Sequence, residues 1–242
     1  MIYVVSHKEV PLKLPSFYKI IGVGNNIVPN EDLHDNTYDN ISIKNKNYCE
    51  LTALYWLWKN CNDDIIGLEH YRRMLLNDNI YEIGLLSEEE IRSILKKYDL
   101  IVPTLFNNKT RTVYEHYSED HKEKDILLAK EIISDIYPKY IDSFNKVMSS
   151  KYEYGFNMLI TKKAILDEYC NWIFKILFTL ENRVDISNYD EYQKRIFGFI
   201  SERLFNVWLN NNNYNIKENV FANVLDDKEK ILSKKKRKLS KN

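Results

Sequence analysis

Cysteine, glycine and proline are scarce in this chain of 242 residues, which holds three, six and five of them respectively. The few glycines and prolines exclude a collagen-like repeat and a linker-rich chain. Cys49, Cys61 and Cys170 are odd in number and widely spaced, so they predict neither a disulfide framework nor a zinc knuckle. Reduced thiols in a cytoplasmic protein are the simplest interpretation.

Long apolar runs are also missing. The nearest candidate, residues 170–180, is shorter than the ~18 residues that a membrane span needs, and it contains Lys175. The N-terminus has no basic segment followed by a long apolar core, so we expect no signal peptide. These features predict a cytoplasmic protein.

The net charge is zero, but its distribution is uneven. Residues 228–242 carry eight Lys or Arg and one acid, whereas the preceding 227 residues carry 27 basic and 34 acidic side chains. An acidic body argues against nucleic acid as a partner, because a binding domain should itself be basic. The run 234–238 (KKKRK) suits an anionic membrane surface, which would place the protein peripherally at the inner face of the cell membrane. A solvated end is the alternative.

Hydrophobic residues make up 44% of the chain and aromatic residues 13%, enough to build a core. Strands alternate with helices, which predicts an α/β fold with a mostly parallel sheet flanked by helices. We expect one domain over 1–225 and a basic, disordered tail over 226–242. The predicted strands are 2–6, 18–23, 64–68, 99–103 and 154–160. The predicted helices are 47–60, 87–97, 122–136, 138–149, 162–181 and 190–210, with polar loops at 25–47 and 104–121.

The carboxyl ends of the predicted strands bring three segments to one rim, where open α/β sheets bind ligands: 6–8, 69–73 and the loop after 103. Two guanidinium groups at a strand end fit the oxygens of a diphosphate. Strand alternation predicts His70 and Arg72 on one side, with Glu69, Tyr71 and Arg73 on the other. In the alternative interpretation, an arginine pairs internally with Glu50, Glu69 or Glu202.

Several well-known catalytic and phosphate-binding sequence motifs are missing from the chain. It has no phosphate-binding glycine loop, nucleophile elbow, HExxH motif or protein-kinase signature. It also lacks the Asp-x-Asp pair that often holds the metal of a nucleotide-sugar transferase, because Asp63 and Asp64 are adjacent and begin their strand.

Two motifs, NYCELTALYWLWKN (47–60) and GLEHYRR (67–73), resemble the signature of a bacterial family of capsular and exopolysaccharide glycosyltransferases long catalogued as a domain of unknown function. The resemblance continues in order through IYVVSHK, DNIS, YDLIVP, FNMLI, YCNWIF and RIFGFISERL, over roughly residues 2–210. It implies a single GT-A-like, Rossmann-like domain with a helical C-terminal part. Such an enzyme moves a sugar, expected to be galactosyl, from a UDP-sugar to a lipid-linked (polyprenyl) or oligosaccharide acceptor in capsule, exopolysaccharide or O-antigen biosynthesis.

The resemblance also implies roles for individual residues. The nucleotide is expected near Ser6, His7 and Lys8, its uracil or ribose at Asp39 and Asn40, and its diphosphate at His70, Arg72 and Arg73. Tyr71 and Asn157 are expected to contact donor or acceptor sugar. The family usually has a small or apolar residue where this chain has Glu69. Glu69 and His70 are therefore the candidate ligands if a divalent metal, Mn or Mg, takes part.

Glu202 is the first candidate for the base that deprotonates the acceptor, because a glutamate within an apolar helix holds its proton more tightly. An ion pair with Arg72 or Arg203 is the alternative role for Glu202. His70 and Asp190 are further catalytic candidates, Glu191 is an alternative to Asp190, and Glu50 is expected to cap the helix 47–60. A non-catalytic module of a polysaccharide-assembly complex is the alternative function, and a phosphoryl-transfer enzyme ranks last.

The basic tail generates the first prediction. We expect the full chain to sediment with vesicles containing anionic lipid, since each basic residue near such a surface contributes ~1 kcal/mol. Binding should weaken as salt is raised and should be absent with neutral vesicles. A chain ending at residue 227 is the control, and unchanged binding of that shorter chain would contradict a membrane role for the tail.

Overall fold

The computed structural model of the chain describes residues 1–10, 12–79 and 84–223. The predicted tail, 226–242, lies outside the described residues. Within them, no helix is long and apolar enough to cross a bilayer.

A nine-stranded mixed sheet forms the centre of the described chain. The strands are β1 Ile2–Ser6, β2 Tyr18–Gly22, β3 Leu33–His34, β4 Ile65–His70, β5 Arg73–Leu75, β6 Leu100–Pro103, β7 Phe106–Asn107, β8 Tyr152–Glu153, β9 Leu159–Lys162, β10 Ile216–Asn219 and β11 Phe221–Asn223, of which β7 and β8 pair separately from the large sheet. The main path of the large sheet runs β10-β6-β9-β4-β1-β2-β3, and β5 and β11 extend from the end of β4. Along this path only β9 runs against the others, because it pairs antiparallel with β4 and β6.

Helices cover both faces of the sheet, and they are α1 Asn45–Tyr48, α2 Leu51–Asn60, α3 Glu88–Ile94, α4 Val113–Asp120, α5 Glu123–Ile136, α6 Ile141–Ser149, α7 Lys163–Glu181 and α8 Ile196–Asn212. Tyr3 and Val5 of β1 pack into the larger core with α2, α5, α6, α7 and α8. Ile2 and Val4 face the smaller core with α3. β1 is therefore apolar throughout because both of its faces are covered. The predicted α/β fold with a mostly parallel sheet is confirmed.

Gly67 lies in the middle of the sheet, between β1 and β9. A Cβ at this position would come within 2.5 Å of Ile2 Cδ1 and 2.9 Å of Ile160 Cγ1. Glycine therefore gives these two isoleucines the space in which they pack across β4.

The predicted helix 47–60 is wrong as a single element. Cys49 adopts a φ of 53° and separates α1 from α2, so Asn47 is not an N-cap. Glu50 precedes α2 but makes no side-chain capping hydrogen bond. The apolar pattern is continuous across the break, which is why periodicity alone did not reveal it.

Three further boundaries differ from the sequence prediction. The supposed loop 104–121 contains α4, which begins with a capping box formed by Thr112 and Glu115. The supposed strand 154–160 begins only at Leu159, because Phe156 and Asn157 have positive φ values of 73° and 51°. The last long helix begins at Ile196 instead of residue 190.

Candidate functional site

A cavity of about 420 Å³ opens where β1 and β4 end side by side. Val5 is paired with His70 in the sheet, and the Tyr71 amide donates a hydrogen bond to the Val5 carbonyl at 3.0 Å. The lining comes from the two strand ends, the loop after β2, the start of α1, the break before α2, the loop before β9 and the start of α8. It comprises Val5, Ser6, His7, Val23, Asn26, Asn45, Lys46, Cys49, Glu50, His70, Tyr71, Arg72, Arg73, Phe156, Arg195, Gly198, Phe199 and Glu202.

The chain reverses direction immediately after β4. Tyr71 and Arg72 form the turn, and Arg73 begins β5 opposite His70. The predicted alternation, with Arg72 and Arg73 on opposite sides, is therefore wrong, because the strand does not continue beyond His70. The turn instead directs all four side chains from His70 to Arg73 to one cavity.

Arg72 and Arg73 lie against aromatic rings instead of carboxylates. The guanidinium carbon of Arg72 is 5.2 Å from the Tyr71 ring centre, and that of Arg73 is 4.4 Å from the Phe156 ring centre. Among the described residues neither guanidinium forms a salt bridge. The internal ion pairs of the alternative interpretation are therefore not found in this part of the chain, and both charges face the cavity.

Further cations strengthen the positive potential of the cavity. Arg195, just before α8, donates from Nε to the sulfur of Cys49 at 3.3 Å. Burial lowers the pKa of His7, and the charges of Lys8, Arg72 and Arg195 lower it further. Burial and the neighbouring Arg72 also lower the pKa of Arg73. Because several cations lie close together here, an anion bound among them would be stabilised.

Glu202 is on α8 at the cavity wall, with a quarter of its side chain exposed. Its Oε1 accepts a hydrogen bond from the Phe156 amide at 3.1 Å, and its Oε2 lies 2.9 Å from Nη1 of Arg203. Glu202 therefore forms the ion pair with Arg203 that was the alternative to a catalytic role, and it also lines the cavity. Burial raises the pKa of Glu202 against the opposing effect of Arg203, and the Glu50 carboxyl contributes to the rise.

Glu50 is the second carboxyl group of the cavity and was expected only as a helix cap. Its Oε1 accepts a hydrogen bond from Nδ2 of Asn157 at 2.6 Å, and burial raises its pKa. Asn157 is buried and is held in turn by Ser201, whose hydroxyl donates to its Oδ1 at 3.0 Å. The structure therefore places Asn157 behind Glu50, outside the cavity lining.

His70 remains neutral at pH 7, because burial and the charge of Arg73 lower its pKa to about 3. Its Nε2 is buried and has no hydrogen-bond partner among the described residues. A neutral imidazole with one unused nitrogen can exchange a hydrogen bond with a bound ligand, but it cannot contribute a positive charge.

The structure brings together Ser6, His7, His70, Tyr71, Arg72, Arg73 and Glu202 from the predicted set. It leaves six others outside the lining, among them Asn157, described above, and the buried Glu69. Lys8 lies over the Tyr71 ring at 5.0 Å. Asp39 accepts a hydrogen bond from the Tyr55 hydroxyl, and Asn40 donates to nearby backbone carbonyls. Asp190 is exposed and accepts from the Gln193 amide at 2.7 Å. The loop after Pro103 does not line the cavity either.

Glu69 and His70, the candidate metal ligands, face in different directions. Glu69 is fully buried, and its Oε1 accepts a hydrogen bond from the Leu75 amide at 3.2 Å. Burial raises its pKa to about 8. The part of the chain that the structure describes contains no group of three or more side chains suited to hold a metal ion. Glu69 and His70 therefore do not form a site that fits a resident divalent metal.

Sequence reasoning missed Glu50, Arg195, Asn26, Lys46 and the two phenylalanines of the lining. The polar segment 25–47 was expected to be functional because of its length, and it supplies Asn26 and Lys46. Arg195 begins one of the blocks that carried the resemblance. No local signal marked Glu50, because its partner Asn157 is 107 residues away in sequence.

The fold and cavity define an α/β protein with a cationic cleft at the carboxyl ends of its parallel strands. Residues 1–215 match the DUF4422 family, described as a domain of unknown function, and the chain belongs to that family. The predicted membership of a family catalogued as a domain of unknown function is confirmed, whereas the capsular and exopolysaccharide role stays a prediction.

A solved structure is similar to nearly the whole chain. It is the apo structure of the bifunctional glycosyltransferase WbbM, which matches with a TM-score of 0.82 and 29% sequence identity over 93% of this chain. The chain spans 45% of the WbbM chain. No curated protein matches significantly.

The buried Glu69 generates a prediction about stability and pH. Its pKa of about 8 in the fold, against 4.5 ordinarily, means that the folded protein keeps a proton that the unfolded chain releases. Its contribution to stability is therefore complete below pH 4.5 and is lost as the pH rises towards 8. Glu69→Gln cannot ionise, so its melting temperature should fall less than that of the wild type between pH 5 and pH 8.

Thermal unfolding at both pH values tests this expectation. Glu9→Gln, at an exposed position, is the matched control and should keep the wild-type slope. A Glu69→Gln variant that loses as much stability over this range as the wild type would contradict the buried, protonated state of Glu69.

Proposed function

We propose that the chain is a glycosyltransferase whose cavity binds the diphosphate of a nucleotide-sugar donor. Family membership and the similarity to WbbM support the class of reaction. The observation that carries the proposal is the set of guanidinium groups of Arg72, Arg73 and Arg195 around one cavity with carboxyl groups in its wall. Planar guanidinium groups bind phosphate oxygens through two parallel hydrogen bonds.

The proposed donor is a UDP-sugar, with a galactosyl unit as the sugar expected from the resemblance. Asp39 and Asn40 lie outside the lining, so we assign the nucleoside instead to the side of the cavity formed by Ser6, His7 and Asn26. The diphosphate would lie at Arg72 and Arg73, where it would relieve the repulsion between the two cations.

In the proposed reaction the acceptor hydroxyl attacks the anomeric carbon of the donor sugar. A new C–O bond forms to the acceptor as the bond to the diphosphate oxygen breaks, and UDP leaves with the bonding electrons. The arginines stabilise the negative charge on the leaving UDP. Glu202 accepts the proton of the hydroxyl, and its raised pKa makes it a better base than an ordinary carboxylate.

We further propose a glycan acceptor, lipid-linked or free, in capsule, exopolysaccharide or O-antigen synthesis, at the inner face of the cell membrane. This assignment comes from the resemblance. An acceptor on a lipid carrier would also explain a basic tail that binds anionic lipid.

The diphosphate site is tested by calorimetric titration of UDP. Each charge-assisted contact contributes about 1.5–3 kcal/mol, so Arg72→Ala and Arg73→Ala should each raise the Kd by about 10- to 100-fold. Arg183→Ala is the matched control, since this exposed arginine pairs with Asp135 and Glu131 away from the cavity. Wild-type protein that does not bind millimolar UDP, with or without manganese, would contradict the proposal and favour the non-catalytic module.

The role of Glu202 is tested by separating binding from turnover. Glu202→Gln keeps the size of the side chain but cannot accept a proton, so UDP release from UDP-galactose should fall by about 10²–10⁴-fold while the Kd for UDP changes little. Glu191→Gln, at an exposed position, should retain wild-type turnover. Full turnover by Glu202→Gln would show that another group is the base.

A further inference from the structure

A second cavity, of about 380 Å³, lies beside the C-terminal half of α8. It is separate from the cationic cavity and carries a different set of side chains. Its lining consists of tyrosines, amides and aliphatic groups with one serine and one lysine: Leu105, Lys146, Val147, Ser150, Tyr152, Tyr154, Asn206, Leu209, Asn210, Asn213, Tyr214 and Ile216.

One row of α8 residues contributes to both cavities. Gly198 and Glu202 line the first, whereas Asn206 and Asn210, at the same helical spacing, line the second together with Asn213, which follows the helix. Eight residues separate Glu202 from Asn210, which corresponds to about 12 Å along the helix axis. Asn206 is buried between the two cavities, so a ligand would not lie on the helix itself, but an oligosaccharide of a few sugars is long enough to reach from the second cavity to the first.

The segment 152–156 also contributes to both cavities. Tyr152 and Tyr154 line the second, and Phe156 lines the first. Asn206 holds this segment to α8, because its Oδ1 accepts from the Tyr154 amide at 2.7 Å and its Nδ2 donates to the Tyr154 carbonyl at 2.8 Å. The tyrosine rings are thus carried on backbone that is fixed relative to Glu202.

The chemistry of the second cavity matches a neutral sugar. Tyr152 is 51% exposed, which leaves its ring accessible to pack against the C–H face of a pyranose. The side-chain amides of Asn210 and Asn213 make no hydrogen bonds within the described residues, so they can donate to and accept from sugar hydroxyls. Among the described lining residues only Lys146 is charged, which gives no site for a diphosphate.

We propose that the second cavity is a binding site for neutral hexose units of an oligosaccharide. We name it the glycan groove, defined by Tyr152, Tyr154, Asn206, Asn210 and Asn213. Its use as the acceptor site rests on the proposed function, with the end of the glycan reaching Glu202. The groove would then position a growing chain several sugars away from the reacting hydroxyl, so longer acceptors would bind more tightly.

Saturation-transfer NMR with neutral tetra- to hexasaccharides of glucose, galactose and mannose tests the groove. At least one oligosaccharide should bind the wild type, and Tyr152→Ala and Asn210→Ala should each weaken that binding at least tenfold. Tyr38→Ala is the matched control, since this exposed tyrosine lines neither cavity. Absence of binding across the panel, or wild-type binding by both groove variants, would overturn the inference.

UDP titrations of the same variants separate this inference from the proposed function. Tyr152→Ala and Asn210→Ala should bind UDP as the wild type does, and Arg73→Ala should retain oligosaccharide binding. Oligosaccharide binding without UDP binding would uphold the groove and contradict the donor site. UDP binding without oligosaccharide binding would contradict the groove alone.

Discussion

The site depends on cationic side chains that the fold holds next to one another, and none of them has a carboxylate ion-pair partner among the described residues. The tight turn after β4 directs Arg72 and Arg73 into the cavity, and aromatic rings support them where an ion pair would have neutralised them. Such contacts keep a guanidinium in place while leaving its N–H groups available. Burial lowers the pKa of Arg73 and the charge of Arg72 lowers it further, so a bound anion beside the two guanidinium groups would be favoured.

The carboxyl groups of the cavity differ from the side chains of Arg72 and Arg73 because each of them has a hydrogen-bond partner among the described residues. Glu50 and Glu202 are both hydrogen-bonded and buried enough to have raised pKa values, so they hold protons more readily than exposed glutamates. In the proposed reaction, the cations of the cavity would bind the departing anion and a carboxylate would deprotonate the nucleophile. Transfer from a phosphorylated donor to a hydroxyl requires both of these functions, a group that binds the leaving anion and a base.

Helix α8 contributes residues to both cavities. Its N-terminal half contributes Gly198, Phe199 and Glu202 to the cationic cavity, and its C-terminal half lines the second one. Gly198 also allows α8 to approach the strained Cys49, since a Cβ there would already lie 3.3 Å from the Cys49 sulfur. A single rigid helix thus fixes the distance between two sites that an extended substrate could occupy together.

The amino-acid sequence alone determined the buried strands β1 and β4, the α/β class and the basic rim at the end of β4, because these features depend on local apolar patterns and on adjacent residues. Only the tertiary structure decided that the chain turns at Tyr71, that Glu50 faces the cavity beside Asn157, and that Arg195 joins the cations. Glu50 and Asn157 are 107 residues apart, and Arg195 and Cys49 are 146 apart. No periodicity records such contacts, since they arise when separate elements pack together.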